Sequence, residues 1–97
     1  MEKDVRPWGY YEVLYESDKI KVKKIVIEPN KRLSYQTHKY RGEHWFIVSG
    51  VGEVTIDGII KNVKPGDTVE FAVGILHRIS NTGAELLTFI EVQTGTY

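Results

Sequence analysis

No cysteine occurs in the chain, so neither a disulfide framework nor a thiolate metal site is available, and any metal must be held by nitrogen and oxygen. Net charge is missing too. Thirteen lysines and arginines balance thirteen aspartates and glutamates, which leaves no broad field to attract nucleic acid or an anionic membrane, and neither is an expected partner. No apolar run approaches a membrane span, and the opening residues MEKDVRPWGYYEV hold no apolar stretch of signal-peptide length, so the expected location is cytoplasmic. Glycine-rich nucleotide-binding segments, low-complexity tracts, linkers and internal repeats are also lacking. Ninety-seven residues suit a single domain spanning 1–97, and its core is small enough that a homodimer is an expected source of extra burial.

What the chain does have is the punctuation of an all-β domain. Short apolar or alternating runs at 10–15, 20–27, 33–38, 45–48, 53–56, 59–63, 68–71, 77–80 and 85–92 are separated by Pro, Gly, Asn and Asp. Asp57-Gly58 predicts a tight hairpin, because both residues tolerate positive φ. No stretch of ten residues keeps a 3.6-residue period between breakers, and a single helical turn is expected only around residues 6–8. So many short strands in so few residues predict a sandwich or barrel.

Residues able to ligate a metal cluster in Gln36-Thr37-His38-Lys39-Tyr40-Arg41-Gly42-Glu43. If residues 34–38 are extended, Gln36 and His38 share a face about 7 Å apart at the backbone. Glu43 follows a short connection containing Gly42, and His77 lies well downstream, just after Gly74. Four nitrogen and oxygen ligands with positions left for water or substrate is how a catalytic metal site is built. Each residue alone carries little weight: a lone strand histidine is more often packed than ligating, and glutamine is an uncommon ligand. The weight lies in the pattern.

That pattern resembles the cupin superfamily, whose fold is a small double-stranded β-helix, or jelly-roll barrel. Asn30, Gln36, His38, Glu43 and Gly50 fall at the spacings of its first motif, and Gly66, Ala72, Gly74, His77 and Asn81 at those of its second. The departures are Asn30 for glycine, which can still adopt a positive φ, Ala72 for proline, and Gln36 for histidine. A narrower resemblance covers nearly the whole chain. Arg6-Pro7-Trp8-Gly9, Leu33-Ser34-Tyr35-Gln36-Thr37-His38, Arg41-Gly42-Glu43-His44-Trp45, Ser49-Gly50, His77-Arg78 and Ile90-Glu91-Val92-Gln93-Thr94-Gly95 look like the type II mannose-6-phosphate isomerase domain. The Gln-x-His form is usual in that family, where this domain often follows a guanylyltransferase domain. Here the isomerase half is expected to stand alone, without guanylyltransferase activity.

The resemblance implies a metal-dependent isomerase that interconverts mannose 6-phosphate and fructose 6-phosphate through an enediolate. It implies one divalent metal on Gln36, His38, Glu43 and His77, with zinc expected and manganese, iron, cobalt or nickel compatible. Glu43 is expected to combine the ligand role with action on a metal-bound water. Lys23, on the face of Ile25 and Ile27, is an acid or base if that face is desolvated, and half of a solvated Lys-Lys pair if it is not. Arg41 clamps a phosphate or polarises a hydroxyl, or is an exposed loop arginine. Arg6 and Trp8 line the barrel mouth, or Trp8 plugs one end of the core. Ser34 is expected to touch a substrate hydroxyl, and Glu91 and Gln93 share a substrate-facing strand face, Glu91 being a second candidate base. His44 and Arg78 point away and are structural or interfacial. Two rival readings are another small metal-dependent cupin enzyme, such as an oxygenase, and a non-catalytic sugar-binding or regulatory cupin.

Overall fold

Alternation along the strands decides how the chain closes. In the computed structural model, which describes residues 2–37 and 41–95, the elements are β1 (Lys3–Arg6), β2 (Gly9–Glu16), β3 (Ile20–Ile27), β4 (Arg41–Ser49), β5 (Gly52–Ile56), β6 (Ile59–Val63), β7 (Thr68–Phe71), β8 (His77–Asn81) and β9 (Leu87–Gly95). They form a six-stranded sheet in the order β1-β2-β3-β9-β4-β7 and a three-stranded sheet in the order β6-β5-β8, with every pairing antiparallel. The all-β expectation holds, and no described residue is helical. In β9, Leu87, Phe89, Glu91 and Gln93 are all buried while the residues between them are half-buried, the period-two signature of a strand with one face inward.

The core lies between the two sheets. Ile25, Ile27, Trp45, Ile47, Val69, Phe71, Leu87 and Phe89 come from the larger sheet, and Val54, Val63 and Ile79 from the smaller. Burying each large aliphatic or aromatic side chain contributes roughly 1.5–3 kcal/mol. Trp45 anchors the cluster, with Phe71 edge-on and Phe89 tilted against it, both at 4.7 Å between ring centroids. Asn81 closes one end: its amide donates to the carbonyls of Ile27 and Glu85 at 2.8 Å, and its oxygen accepts from the Gly83 N–H at 2.9 Å.

Two local expectations are corrected. The helical turn around residues 6–8 is instead the two-residue turn of a hairpin, in which β1 pairs with β2 and Arg6 faces Gly9. The charged sequence Lys3-Asp4-Val5-Arg6 gives no apolar alternation to announce an edge strand. Gly9 is required there, since it sits at φ 148° and a Cβ would lie 2.0 Å from the Val26 carbonyl oxygen. Nor is the run at 33–38 a continuous strand over its described part. The run holds one isolated bridge to β8, Gln36 to His77, with a second just before it, Arg32 to Ser80, while Ser34 and Tyr35 between them are exposed. The turns expected to hold positive φ do so, with Asn30 at 64°, Asp57 at 48° and Gly58 at 80°.

Candidate metal and substrate site

Four strands change chemistry at the same height. Along β3 the inward face passes from Ile27 and Ile25 to Lys23, and along β9 from Leu87 and Phe89 to Glu91 and Gln93. On β4 it passes from Ile47 through Trp45 to Glu43, and on β8 from Ile79 to His77. Register makes these switches coincide: Lys23 is the Cα partner of Glu91, Glu91 of Trp45, and Gln93 of Glu43. The barrel therefore has an apolar end and a polar end.

At the polar end Glu43, His77, Glu91 and Gln93 are each 4% exposed or less. Burying charge in this way is tolerated only with partners. The Glu43 carboxylate faces His77 Nε2 at 3.6 Å, Arg41 Nε at 3.3 Å and the Trp45 indole N–H at 3.0 Å. The same indole N–H reaches Glu91 Oε2 at 3.1 Å, and the Gln93 amide donates to the other Glu91 oxygen. His77 is held by its Nδ1, 2.9 Å from the Ile75 carbonyl oxygen, and by a stacked Phe71 ring 4.1 Å away. Gln36 reaches His77 through reciprocal backbone hydrogen bonds of 2.9 and 3.0 Å.

The two carboxyls are driven in opposite directions. Burial raises Glu43, but the adjoining His77, Glu91 and Trp45 outweigh it and bring the group to about 2. Burial also raises Glu91, and there the nearby Glu43 charge adds to it, pushing the group to about 7. For His77 burial acts downward, but Glu43 and the Ile75 carbonyl raise it overall. Desolvation lowers Lys23, against the pull of Glu91.

In front of this layer opens a cavity of about 400 Å³. Arg6, Lys23 and Arg41 bring three cationic side chains to it from β1, β3 and β4, and Glu91, Gln93 and Gln36 line its polar floor. Trp8 and Ser34 lie on its wall, Trp8 also packing on the core, with Ile25 and Leu33 as the apolar part of the lining. Glu43 and His77 do not line it but sit one step behind, through their partners Gln93 and Gln36. Arg41 is the first residue of β4 rather than part of a loop. His44 points outward beside Glu70, at 3.5 Å, and Arg78 lies over the exposed Tyr35 ring at 4.1 Å, both away from the cavity.

Tyr11 also lines the cavity and was not foreseen from the sequence. Its hydroxyl donates to Asp4 at 2.5 Å, Arg6 donates to that hydroxyl at 3.3 Å and to Asp4 at 3.1 Å, and Lys23 Nζ lies 4.4 Å from its ring centroid. Strand alternation from Gly9 carried the signal, but only the β2–β3 pairing says which face turns inward. Trp45 stands two positions after Glu43 and shares its face, a spacing that fits a core residue equally well.

The donor set suits a nitrogen- and oxygen-bound divalent metal. Holding His77 through Nδ1 turns Nε2 towards Glu43, which is how a ligating imidazole is commonly oriented. Among the described residues, no group of three or more His, Cys, Asp or Glu is placed to hold an ion, and the expected ligand His38 lies outside the described residues.

A family model described as "Mannose-6-phosphate isomerase C-terminal" matches residues 1–97. A mannose-1-phosphate guanylyltransferase of Escherichia coli (strain K12) is 40% identical over 92 residues, covering 95% of this chain and 19% of that protein. The chain thus spans about a fifth of the length of that relative. Among solved structures, a protein of Acidithiobacillus ferrooxidans provisionally named a sugar phosphate isomerase is 32% identical with a TM-score of 0.73, over 78% of this chain and 50% of that one. An RmlC-like cupin from Shewanella frigidimarina superposes with a TM-score of 0.87 at 18% identity, over 98% and 84% of the two chains, which establishes the cupin fold.

Proposed function

The chain belongs to the mannose-6-phosphate isomerase C-terminal family, and from that premise we propose that it is a metal-dependent isomerase interconverting mannose 6-phosphate and fructose 6-phosphate. The observation that carries this reading is a single cavity lined both by Arg6, Lys23 and Arg41 and by Glu91, and backed by the Glu43–His77 pair. Three cations suit a phosphate, and a buried carboxylate beside them suits proton transfer at carbon.

A divalent metal, zinc above all and manganese, iron, cobalt or nickel as compatible substitutes, would be held by Gln36, His38, Glu43 and His77 and would stabilise negative charge on the sugar O1 and O2. The remaining chemistry falls to the side chains. In the aldose-to-ketose direction the proton on C2 must leave, a proton must arrive at C1, the O1 carbonyl must become a hydroxyl and the O2 hydroxyl a carbonyl. Glu91 is the better-placed base for the carbon-to-carbon transfer, because it lines the cavity and Glu43 does not. Lys23, opposite Glu91 in register and half-buried, is positioned to exchange protons with the sugar oxygens. Arg41 and Arg6 hold the phosphate, and Ser34 and Gln93 orient hydroxyls.

A coupled assay for fructose 6-phosphate formed from mannose 6-phosphate, with chelator and then with each divalent metal restored, tests the proposal. Turnover that disappears with chelator and returns with metal supports it. Folded, metal-loaded protein without turnover overturns it in favour of a sugar-binding cupin or another cupin enzyme.

A further inference from the structure

Trp45 is 2% exposed, and its indole N–H lies 3.0 Å from Glu43 Oε1 and 3.1 Å from Glu91 Oε2. The ring cannot turn this N–H elsewhere, because Phe71 meets it edge-on and Phe89 packs against it, both at 4.7 Å. Backbone geometry fixes the sharing. Trp45 is two residues from Glu43 on one face of β4 and is the Cα partner of Glu91 on β9. An indole N–H donates and never accepts, so nothing in the ring can take over if it is lost. The two buried carboxyl groups would then share one hydrogen-bond donor fewer.

We propose that Trp45 is a positioning residue, whose shared N–H sets the separation between the carboxylate that ligates the metal and the carboxylate that faces the substrate. The kinetic consequence rests on the isomerase reading; the metal-binding consequence does not.

The test replaces Trp45 site-specifically with β-(3-benzothienyl)alanine, which keeps the bicyclic shape and puts sulfur in place of the N–H. Phe89→Leu is the packing control, since it loosens the same ring without removing a donor. Zinc affinity is read by competition with a chromogenic chelator, thermal stability by unfolding, and kcat and KM with mannose 6-phosphate. The sulfur isostere should still fold, bind zinc about 10–100-fold more weakly and lose kcat more than KM. Phe89→Leu should lower the melting temperature while keeping zinc affinity within about threefold, well short of that loss. Parental zinc affinity in the isostere, or an equal loss of affinity in Phe89→Leu, overturns the proposal. A parent protein that binds zinc without isomerising overturns the isomerase reading alone, and the zinc arm then decides Trp45. A parent protein that binds none of zinc, manganese, iron, cobalt or nickel overturns both.

Discussion

The two ends of the barrel are built from the same strands and differ in what those strands turn inward. Below Trp45, Ile27, Ile47, Ile79, Leu87 and Phe89 form a packed apolar layer, with Ile25 at its border with the cavity. Above it, Lys23, Glu43, His77, Glu91 and Gln93 occupy the equivalent inward positions, the last four partnered through hydrogen bonds and ion pairing and Lys23 by the Glu91 charge. Both ends are buried, yet one gains from leaving water and the other loses by it. The apolar end thus supplies the stability that allows two carboxylates, an imidazole and an amine to be held close together at the other.

The largest contrast is expected between two residues of β8. His77→Ala should abolish metal binding and lower isomerase activity by at least about 10³-fold, measured by metal content and the coupled assay. Activity that survives metal loss would refute the role given to the metal. Ile79→Ala, two positions along the same face, should lower unfolding stability by roughly 2–5 kcal/mol while the folded fraction keeps its metal and turnover. Equal loss of metal in both variants would dissolve the distinction between the ends.

Acid–base behaviour sharpens it further. Glu91, raised to about 7, keeps its proton in the folded chain where the unfolded chain releases it, so its effect on stability becomes more unfavourable as pH rises from about 4.5 to 7. His77, raised by its partners, contributes stability below its unfolded value that is lost as pH rises through the folded one. Glu43, lowered to about 2, contributes stability above its unfolded value that is lost as pH falls through the folded one. Metal-free protein should therefore be most stable near pH 5 and melt progressively lower as pH rises to about 7. Glu91→Gln should flatten that decline between pH 4.5 and 7, whereas an unchanged slope would place the buried proton elsewhere. The smallest effect is expected at the cavity mouth. Arg41→Ala should raise KM for mannose 6-phosphate about tenfold, a differential interaction of about 1.4 kcal/mol. An equal loss with unphosphorylated mannose would remove the phosphate-holding role.

Strands with clear alternation or bounded apolar runs were legible in the sequence. β3, β6 and β7 begin and end where the residue pattern puts them, and the Asp57-Gly58 hairpin has the φ values its residues suggest. β1 was not legible, because a charged edge strand has no apolar face to display and exists through its pairing with β2. Over residues 33–37 composition suggests a strand that the fold does not form: Leu33 is buried and Gln36 bonds His77, but Ser34 and Tyr35 between them are exposed, so only point contacts with β8 remain. In the site, Arg6, Trp8, Lys23, Ser34, Gln36, Arg41, Glu91 and Gln93 were marked by motif and alternation, and the structure gathers them around one cavity. The parts played by Tyr11 and Trp45 depend on which groups lie across from them, and spacing along one strand carries no record of that.

By itself the sequence determined an all-β domain, the turns at Asn30 and Asp57-Gly58, the absence of sulfur ligands and the residues with chemistry to offer. Each of these follows from local sterics, alternation or composition, and so is written within a few neighbouring positions. The tertiary structure decided that Lys23, Glu91 and Trp45 stand at one height, and that a single indole N–H serves two carboxylates. It also decided that these carboxyls, alike in sequence, are pushed to opposite ends of their range. Register between strands far apart in the chain, and the burial that follows from it, set those properties.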